Sequence, residues 1–91
     1  MKFAIEIGDS ERNLLEYNFN QLLGSLVIKV NETPIKRSVR LVNEPLSEVH
    51  AFEVGEYEKS RVRIEKQRNQ LLGSRHCLYV NNRLVRVFNG V

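Results

Sequence analysis

The stretch LEYNFNQLLGSLVIKV, from Leu15 to Val30, predicts two strands joined by a tight turn. Apolar and polar residues alternate along Leu15–Asn20 and again along Leu26–Val30, and a period of two residues is typical of a half-buried β-strand. Gly24 lies between the two segments and can adopt the positive φ that a tight reversal requires. The stretch therefore indicates a β-hairpin.

The hexapeptide NQLLGS inside this stretch occurs again at Asn69–Ser74, 49 positions further along the chain. The residues before it match as well, because Ile64-Glu65 in the second copy answers Leu15-Glu16 in the first. Each copy is predicted to form the same unit: strand, glycine turn, strand, asparagine turn, strand. The repeat therefore indicates two similar hairpin units.

Alternating segments also occur at Lys2–Ile7 and at Ser47–Val54, and both are predicted to be strands. The strand that follows the first asparagine turn is expected to direct Ile35 and Val39 inward. Together these segments give about eight short strands at intervals of about 10 residues, the pattern of an antiparallel β-sandwich or barrel. We therefore expect an all-β fold and a single β domain over residues 1–91.

A helix is the alternative for Glu56–Leu72, which is rich in Glu, Lys, Arg and Gln and is followed by Gly73, a typical helix C-cap residue. The apolar residues of this segment do not form one helical stripe. The parallel with the first copy favours a strand.

Four parts of the second half resemble the repeating hairpins of the Fas apoptotic inhibitory molecule (FAIM) family: FEVG at Phe52–Gly55, VRI at Val62–Ile64, the turn at Gly73, and LYVNNRL at Leu78–Leu84. The resemblance implies a cytosolic, non-enzymatic β-sandwich of a family associated with the restraint of cell death and of aggregation. The chain departs from the family in lacking tryptophan and in having Asn82 where glycine is usual. No functional residue is carried over.

Composition places the chain among folded globular domains, with 42% hydrophobic and 27% charged residues. The net charge of +3 is a mild excess that favours weak attraction to polyanions. We expect no membrane-spanning segment and no signal peptide. The single cysteine, Cys77, suits a reducing compartment, so a cytoplasmic location is expected.

No residue pattern indicates catalysis, a metal site or a cofactor. His76 and Cys77 are adjacent in a predicted strand, so their side chains point to opposite faces and cannot share one ion. No carboxylate, Glu48 included, is expected at an inward strand position. The glycines are isolated rather than clustered as a phosphate-binding loop requires. We therefore do not expect an enzyme.

Basic residues are concentrated in three predicted strands and could form a surface that meets phosphates. Arg61 and Arg63 share an outward face. Tyr79 and Phe88 are the aromatic residues expected to point outward, where they could stack on bases. The alternative is an ordinary solvated face whose charges protect edge strands. The candidate polyanion contacts are Lys36, Arg40, Arg61, Arg63, Lys66 and Arg68.

The repeated turns carry paired leucines, Leu22-Leu23 and Leu71-Leu72, which is unusual because loops generally face water. The leucines could fold back as a lid on the core, or they could form an apolar patch for a partner. We therefore expect a non-catalytic module that binds a protein or a second copy of itself, with weak nucleic-acid binding as the alternative.

Overall fold

The computed structural model describes residues 1–40, 46–68 and 73–90, and these residues form eight antiparallel strands and no helix. The strands are β1 (Lys2–Ile7), β2 (Asn13–Asn20), β3 (Ser25–Val30), β4 (Thr33–Val39), β5 (Ser47–Val54), β6 (Ser60–Arg68), β7 (Ser74–Val80) and β8 (Arg83–Gly90). The all-β prediction is confirmed. The helical alternative for 56–72 is wrong over Ser60–Arg68, and residues 69–72 lie outside the described part. The described residues include no helix of the length and apolarity needed to cross a bilayer.

The strands form two four-stranded sheets, each a simple meander: an N-terminal sheet in the order β1-β2-β3-β4 and a C-terminal sheet in the order β5-β6-β7-β8. Contacts between the sheets fix which strands face each other. Phe3 on β1 stacks on Phe88 of β8 with ring centroids 3.9 Å apart. At the opposite side, Lys36 Nζ on β4 lies 2.7 Å from His50 Nδ1 on β5. The fold is therefore a small β-sandwich in which the second sheet runs in reverse order over the first.

The two sheets repeat each other in register. In the N-terminal sheet, neighbouring strands align Lys2, Asn18, Val27 and Arg37 in one row. In the C-terminal sheet, the corresponding row is Val49, Glu65, Cys77 and Val87. The first two strands of each unit are thus related by 47 positions and the last two by 50, whereas the NQLLGS hexapeptides differ by 49. The structure confirms two similar units. However, aligning the two hexapeptides does not align the structurally equivalent residues of the two units.

The asparagine turns have the same conformation in both units. Both central residues of the turns Asn31-Glu32 and Asn81-Asn82 have φ between 49° and 68°, which is the backbone of a two-residue hairpin turn. The side-chain oxygen of the first turn residue accepts a hydrogen bond from the N–H of Leu14 in one unit and of Arg61 in the other. The asparagine side chain therefore ties each turn to the strand two places back in the chain, in addition to tolerating the turn conformation.

The loops Gly8–Glu11 and Gly55–Glu58 join the two sheets by a reciprocal contact that we call the loop clasp. The Glu11 carboxylate accepts hydrogen bonds from the backbone N–H groups of residues 56–58, at 2.7–3.0 Å. The Glu58 carboxylate in turn accepts from the N–H groups of residues 9–11, at 2.6–3.4 Å. Each loop thus supplies an anion to the concave backbone of the other.

The glycine that opens each of these loops is required by the geometry. Gly8 and Gly55 have φ of 109° and 105°, values that L side chains rarely adopt. A Cβ at Gly8 would collide with the carbonyl oxygen of Glu11, and one at Gly55 with that of Glu58. The segments IGDSER and VGEYEK, 47 positions apart, therefore encode the same loop.

The apolar core lies between the sheets and is centred on β2, β3, β6 and β7. Tyr17, Leu15, Ile28, Ile64 and Leu78 are completely buried. The remaining buried apolar residues are Phe3, Ile7, Phe19, Leu26, Val54 and Val62. The outermost strands β4 and β8 contribute little to this core.

A β-bulge explains why the last strand of each unit is exposed. The register between β3 and β4 shifts between Ile28 and Lys29, and the register between β7 and β8 shifts at the equivalent position. One extra residue inverts the alternation beyond it. The prediction that Ile35 and Val39 point inward is therefore wrong, since both are exposed and Lys36 takes the inward position opposite Ile28.

Candidate functional site

The first of the two leucine turns presents its side chains to solvent. Leu22 is 81% exposed and Leu23 55%, so neither acts as a lid on the core. The Leu23 N–H donates to Asn20 Oδ1 at 3.2 Å, which holds the turn in shape. Leu71 and Leu72 lie outside the described residues. A partner contact at the turns thus stays a prediction.

Arg61 and Arg63 lie on the outer face of the C-terminal sheet, as their alternation predicts. Arg61 is exposed. Arg63 is already engaged, because its Nε lies 2.9 Å from Glu65 Oε2 and its guanidinium lies 4.3 Å from the Tyr79 ring centroid. Its Nη1 also donates to Asn82 Oδ1 at 3.1 Å. Arg63 is therefore less able than Arg61 to pair with an incoming phosphate.

Lys66 does not lie on the solvent face that is predicted for a lysine near the end of a strand. Its side chain is 3% exposed and lies between the sheets, with Nζ 4.3 Å from the centroid of the Phe19 ring and 3.9 Å from Glu48 Oε1. Strand parity places it inward after Val62 and Ile64. The cation is stabilised by the ring face and the carboxylate, and it cannot contact an external polyanion.

The β4 and β5 side of the sandwich is closed by a charged edge, which we define as Lys36, Arg40, Glu48 and His50. The Arg40 guanidinium pairs with the Glu48 carboxylate. His50 Nε2 lies 2.8 Å from Glu48 Oε1, and His50 Nδ1 faces Lys36 Nζ. The expectation that Glu48 points outward is wrong, because its register partner is the buried Lys66. Lys36 and Arg40 are exposed, but their head groups are already engaged by His50 and Glu48 rather than lying on a free basic face.

Burial, together with the positive charges of Lys36, Lys66 and Arg40, lowers the pKa of His50 to about 4. His50 is therefore neutral at pH 7. Neutral imidazole Nδ1 can accept a hydrogen bond from the Lys36 ammonium. The charged edge is consequently a set of mutually contacting groups, although His50 Nε2 makes no well-aligned hydrogen bond to the nearby Glu48 carboxylate.

Arg68 ends β6 and is half-buried, with its backbone N–H donating to the Leu46 carbonyl oxygen at 2.7 Å. The six predicted polyanion contacts thus fall into separate places: the outer face of β6, the interior, the charged edge and the end of β6. The prediction that they share one surface is not what the geometry favours. Strand alternation and the inter-sheet contacts divide them.

His76 lies in a second buried polar network, at the centre of β7. The Ser74 hydroxyl donates to the Gly90 carbonyl oxygen at 3.1 Å, so it accepts from His76 Nε2–H at 2.8 Å. His76 Nδ1 then accepts from the Tyr17 hydroxyl at 2.9 Å. Burial and, next, the charge of Lys66 lower the pKa of His76 to about 4. The hydrogen bond between the Tyr17 hydroxyl and this imidazole joins the two sheets.

Phe88 is not the outward aromatic residue that alternation suggests. The bulge beside Leu78 and Tyr79 shifts the parity of β8, so Phe88 pairs with the inward His76 and stacks on Phe3. Tyr79 does lie on the outer face, where it is covered in part by Arg63.

Within the described ranges, no three side chains of His, Cys, Asp or Glu converge as a metal site would require. His76 is buried, whereas the neighbouring Cys77 is half-buried on the outer face and free of disulfide bonding. The two residues therefore lie on opposite faces, as strand geometry demands.

The outer face of the N-terminal sheet carries a feature that the linear sequence conceals. Lys2, Lys29 and Arg37 surround a hollow of about 420 Å³ that is open to solvent. We call it the cationic hollow. Its three cations are far apart in the chain, and only the register of β1, β3 and β4 brings them to one face. No ion pair or hydrogen bond of these three side chains occurs among the described residues.

The free edge of β8 is the second such feature. Leu84, Val85 and Val87 are 54%, 44% and 39% exposed. Among the four edge strands, β4 carries two exposed large aliphatic residues, β5 one and β1 none in the described ranges. β8 therefore has the most exposed aliphatic residues of the four edge strands, beside the exposed Arg83 and Arg86.

Comparison with protein-family models, with curated proteins and with solved structures found no match for this chain. The resemblance to the FAIM family stays a prediction.

Proposed function

We propose that the chain is a non-catalytic binding module that pairs with a second copy of itself along the free edge of β8. The observation that carries the proposal is the group of exposed aliphatic side chains on that strand, Leu84, Val85 and Val87, which are interrupted by the exposed Arg86. An edge strand also presents backbone N–H and C=O groups that can extend a ladder into another sheet. Aliphatic side chains and a free ladder together favour strand addition.

The other edges are less suited to pairing. β4 contains Pro34 and the neighbouring cations Lys36 and Arg37, which are devices that protect an edge. β5 carries Glu48 and Glu53. Pairing of β8 with β8 about a two-fold axis would extend two four-stranded sheets into one, and it would cover apolar surface on both copies.

Nucleic-acid binding has less support, because the six basic residues expected to carry it are divided between separate parts of the molecule. The free thiol of Cys77 supports a reducing compartment, and the cytoplasm is proposed as the place of action.

Sedimentation equilibrium over a range of concentrations tests the proposal. We expect a mass that rises toward twice the 10.6 kDa of one chain. Leu84→Ser with Val87→Ser should raise the dissociation constant at least roughly tenfold, because each copy loses apolar contact area. The control is Val39→Ser on β4, which removes an aliphatic residue that is 67% exposed, more than either Leu84 or Val87, from the protected edge.

A single-chain mass at every concentration would contradict the proposal. So would an equal effect of the β8 variant and the β4 control, since that result would place the contact elsewhere.

A further inference from the structure

We propose that the cationic hollow on the N-terminal sheet is a docking site for an extended acidic segment of a protein partner. This surface lies on the sheet that does not contain β8, and it goes beyond the self-pairing proposed above. The two proposals can therefore fail independently.

The cationic hollow has an excess of positive charge. Lys2, Lys29 and Arg37 border the hollow, and Glu16 is its single acidic residue. The excess is two positive charges on a surface whose cations have no ion pair among the described residues. An anionic ligand can approach them without breaking existing contacts, unlike at Arg40 or Arg63, which already face carboxylates.

The spacing of the three cations suits an extended ligand. Arg37 aligns with Val27, and Lys29 lies two residues further along the same strand. Strand geometry then separates the Cα atoms of Lys29 and Arg37 by about 8 Å, and those of Lys2 and Arg37 by about 14 Å. Cations so far apart suit several carboxylates better than one phosphate group. An extended peptide presents alternate side chains on one side at intervals of about 7 Å, which matches this spacing.

The shape of the hollow also suits a peptide chain better than a small molecule. A volume of about 420 Å³ lies within the range of ligand sites. However, the hollow is an open depression across strands, floored by Ala4, Asn18 and Val27. Small-molecule sites usually enclose most of the ligand surface, whereas a shallow trough across a sheet suits a chain that enters and leaves at the sides.

The residues around the hollow favour a peptide over a single-stranded nucleic acid. Such nucleic acids bind to aromatic platforms beside their phosphate contacts. Phe3 and Tyr17 are among the residues that line the hollow, but their side chains, like that of Phe19, are buried against the opposite sheet and leave no ring face exposed for stacking. The carboxylate of Glu16 in the trough can accept a hydrogen bond from a peptide N–H, a donor that a phosphodiester backbone lacks.

The C-terminal sheet provides an internal comparison. The residues equivalent to Lys2, Lys29 and Arg37 are Val49, Tyr79 and Val87. The C-terminal sheet has cations of its own on its outer face, Arg61, Arg63 and Arg75, but none at these three equivalent positions. The shared backbone therefore does not require Lys2, Lys29 and Arg37, which is consistent with a contact made by the N-terminal sheet alone.

The test uses a fluorescein-labelled octapeptide of alternating Glu and Ser, titrated with the whole chain at low salt and followed by fluorescence anisotropy. Alternation places all four carboxylates of the extended peptide on one side. We expect saturable binding that weakens with added salt. Lys29→Ala and Arg37→Ala should each weaken it roughly three- to fivefold, the effect of one exposed charge pair.

The matched control is Arg75→Ala, which removes an exposed cation from the outer face of the C-terminal sheet and should leave the affinity unchanged. The Leu84→Ser/Val87→Ser variant should also bind the peptide normally, which separates this site from the β8 edge. Circular dichroism checks that every variant is folded.

Absence of binding would overturn the inference, and so would an equal loss in Arg75→Ala, which would indicate attraction by net charge alone. A labelled single-stranded RNA octamer that bound more tightly than the peptide, with the same loss in Lys29→Ala and Arg37→Ala, would also overturn it by assigning the hollow to nucleic acid.

Discussion

The two sides of the sandwich are built from equivalent strands but are closed in opposite ways. At the β1–β8 side, Phe3 stacks on Phe88, and it also stacks on Tyr17 at 5.0 Å between ring centroids. At the β4–β5 side, the position equivalent to Phe3 is His50, and it belongs to the charged edge. One side therefore gains from burial of apolar surface, whereas the other holds a polar network whose desolvation offsets its electrostatic attraction.

The difference shows which features the repeated unit requires. Both copies keep the loop clasp, the asparagine turns and the bulge, because these set the backbone path. The residues that close the two sides differ, as do those on the two outer faces. The scaffold thus tolerates divergence at the surfaces on which we place the binding contacts.

The largest expected effect is at the apolar side. Phe3→Ala should lower the free energy of unfolding by about 3–5 kcal/mol, because it removes a buried ring that stacks on two others. Urea unfolding followed by circular dichroism measures the loss. Tyr57→Ala is the control, because it truncates a ring that is 92% exposed. It should change the free energy of unfolding by less than about 0.5 kcal/mol. A loss below about 1 kcal/mol for Phe3→Ala would remove the contrast between the two sides.

The charged edge should make stability depend on pH. Folding lowers the pKa of His50 and of His76 from 6.5 to about 4, so the unfolded chain binds more protons between these values. The stability that each neutral imidazole contributes is full above pH 6.5, and it is lost as the pH falls toward 4. His50→Phe should reduce the slope of unfolding free energy against pH by about 1.4 kcal/mol per pH unit.

The comparison for this experiment is the wild-type chain, measured by urea unfolding at a series of pH values from 8 to 4. The slope that remains in His50→Phe should come from His76. Parallel curves for the two proteins would show that His50 is not buried as a neutral group.

The loop clasp should give a smaller effect that is equal in the two units. Backbone hydrogen bonds lower the pKa of Glu11 and of Glu58. Each carboxylate therefore stabilises the fold above its ordinary pKa of 4.5, and this stabilisation is lost as the pH falls through the lower folded value. Glu11→Gln and Glu58→Gln should lower the urea midpoint at pH 7 by similar amounts, and they should differ little from wild type at low pH.

Glu6→Gln is the control for the clasp, because Glu6 is exposed and has only a surface contact with Arg12 at 3.7 Å. A large effect of one clasp variant and none of the other would show that the two loops are not reciprocal.

The smallest expected effect comes from the buried cation. Lys66→Met keeps the length of the side chain and removes the cost of burying the charge, so stability should stay unchanged or rise by about 1–2 kcal/mol. Lys66→Ala should instead destabilise the fold, since it leaves a void beside Phe19. Thermal unfolding of both variants is the measurement. A strongly destabilised Lys66→Met would mean that the ammonium group is itself required.

Local patterns were sufficient to predict the strands. Lys2–Ile7 and Ser47–Val54 have the predicted bounds, because each alternates between one buried and one solvated face. The turns at Asn31 and Asn81 are also predictable, since the turn residues themselves favour this conformation, although their hydrogen bonds to Leu14 and Arg61 are not. The loop clasp was not recognised, although IGDSER and VGEYEK contained its signal, because a glutamate that binds the backbone of a distant loop looks like any exposed glutamate.

The errors share a physical cause. Chemical type predicts an outward position for Lys66 and Glu48, whereas strand parity places both inward and makes them register partners. The predicted orientations of Phe88 and Val39 are wrong because a bulge inverts the alternation, and alternation along one strand contains no information about its neighbour's register. The cationic hollow requires the alignment of three strands, which no single segment encodes.

The most direct test of the account is a two-dimensional NOE spectrum that places β8 over β1 and β4 over β5. The account predicts cross-peaks between the ring protons of Phe3 and Phe88, and between the His50 ring and the Lys36 side chain. Cross-peaks between Phe3 and β4, or between His50 and β8, would contradict this arrangement. They would show that the second sheet does not run in reverse order over the first.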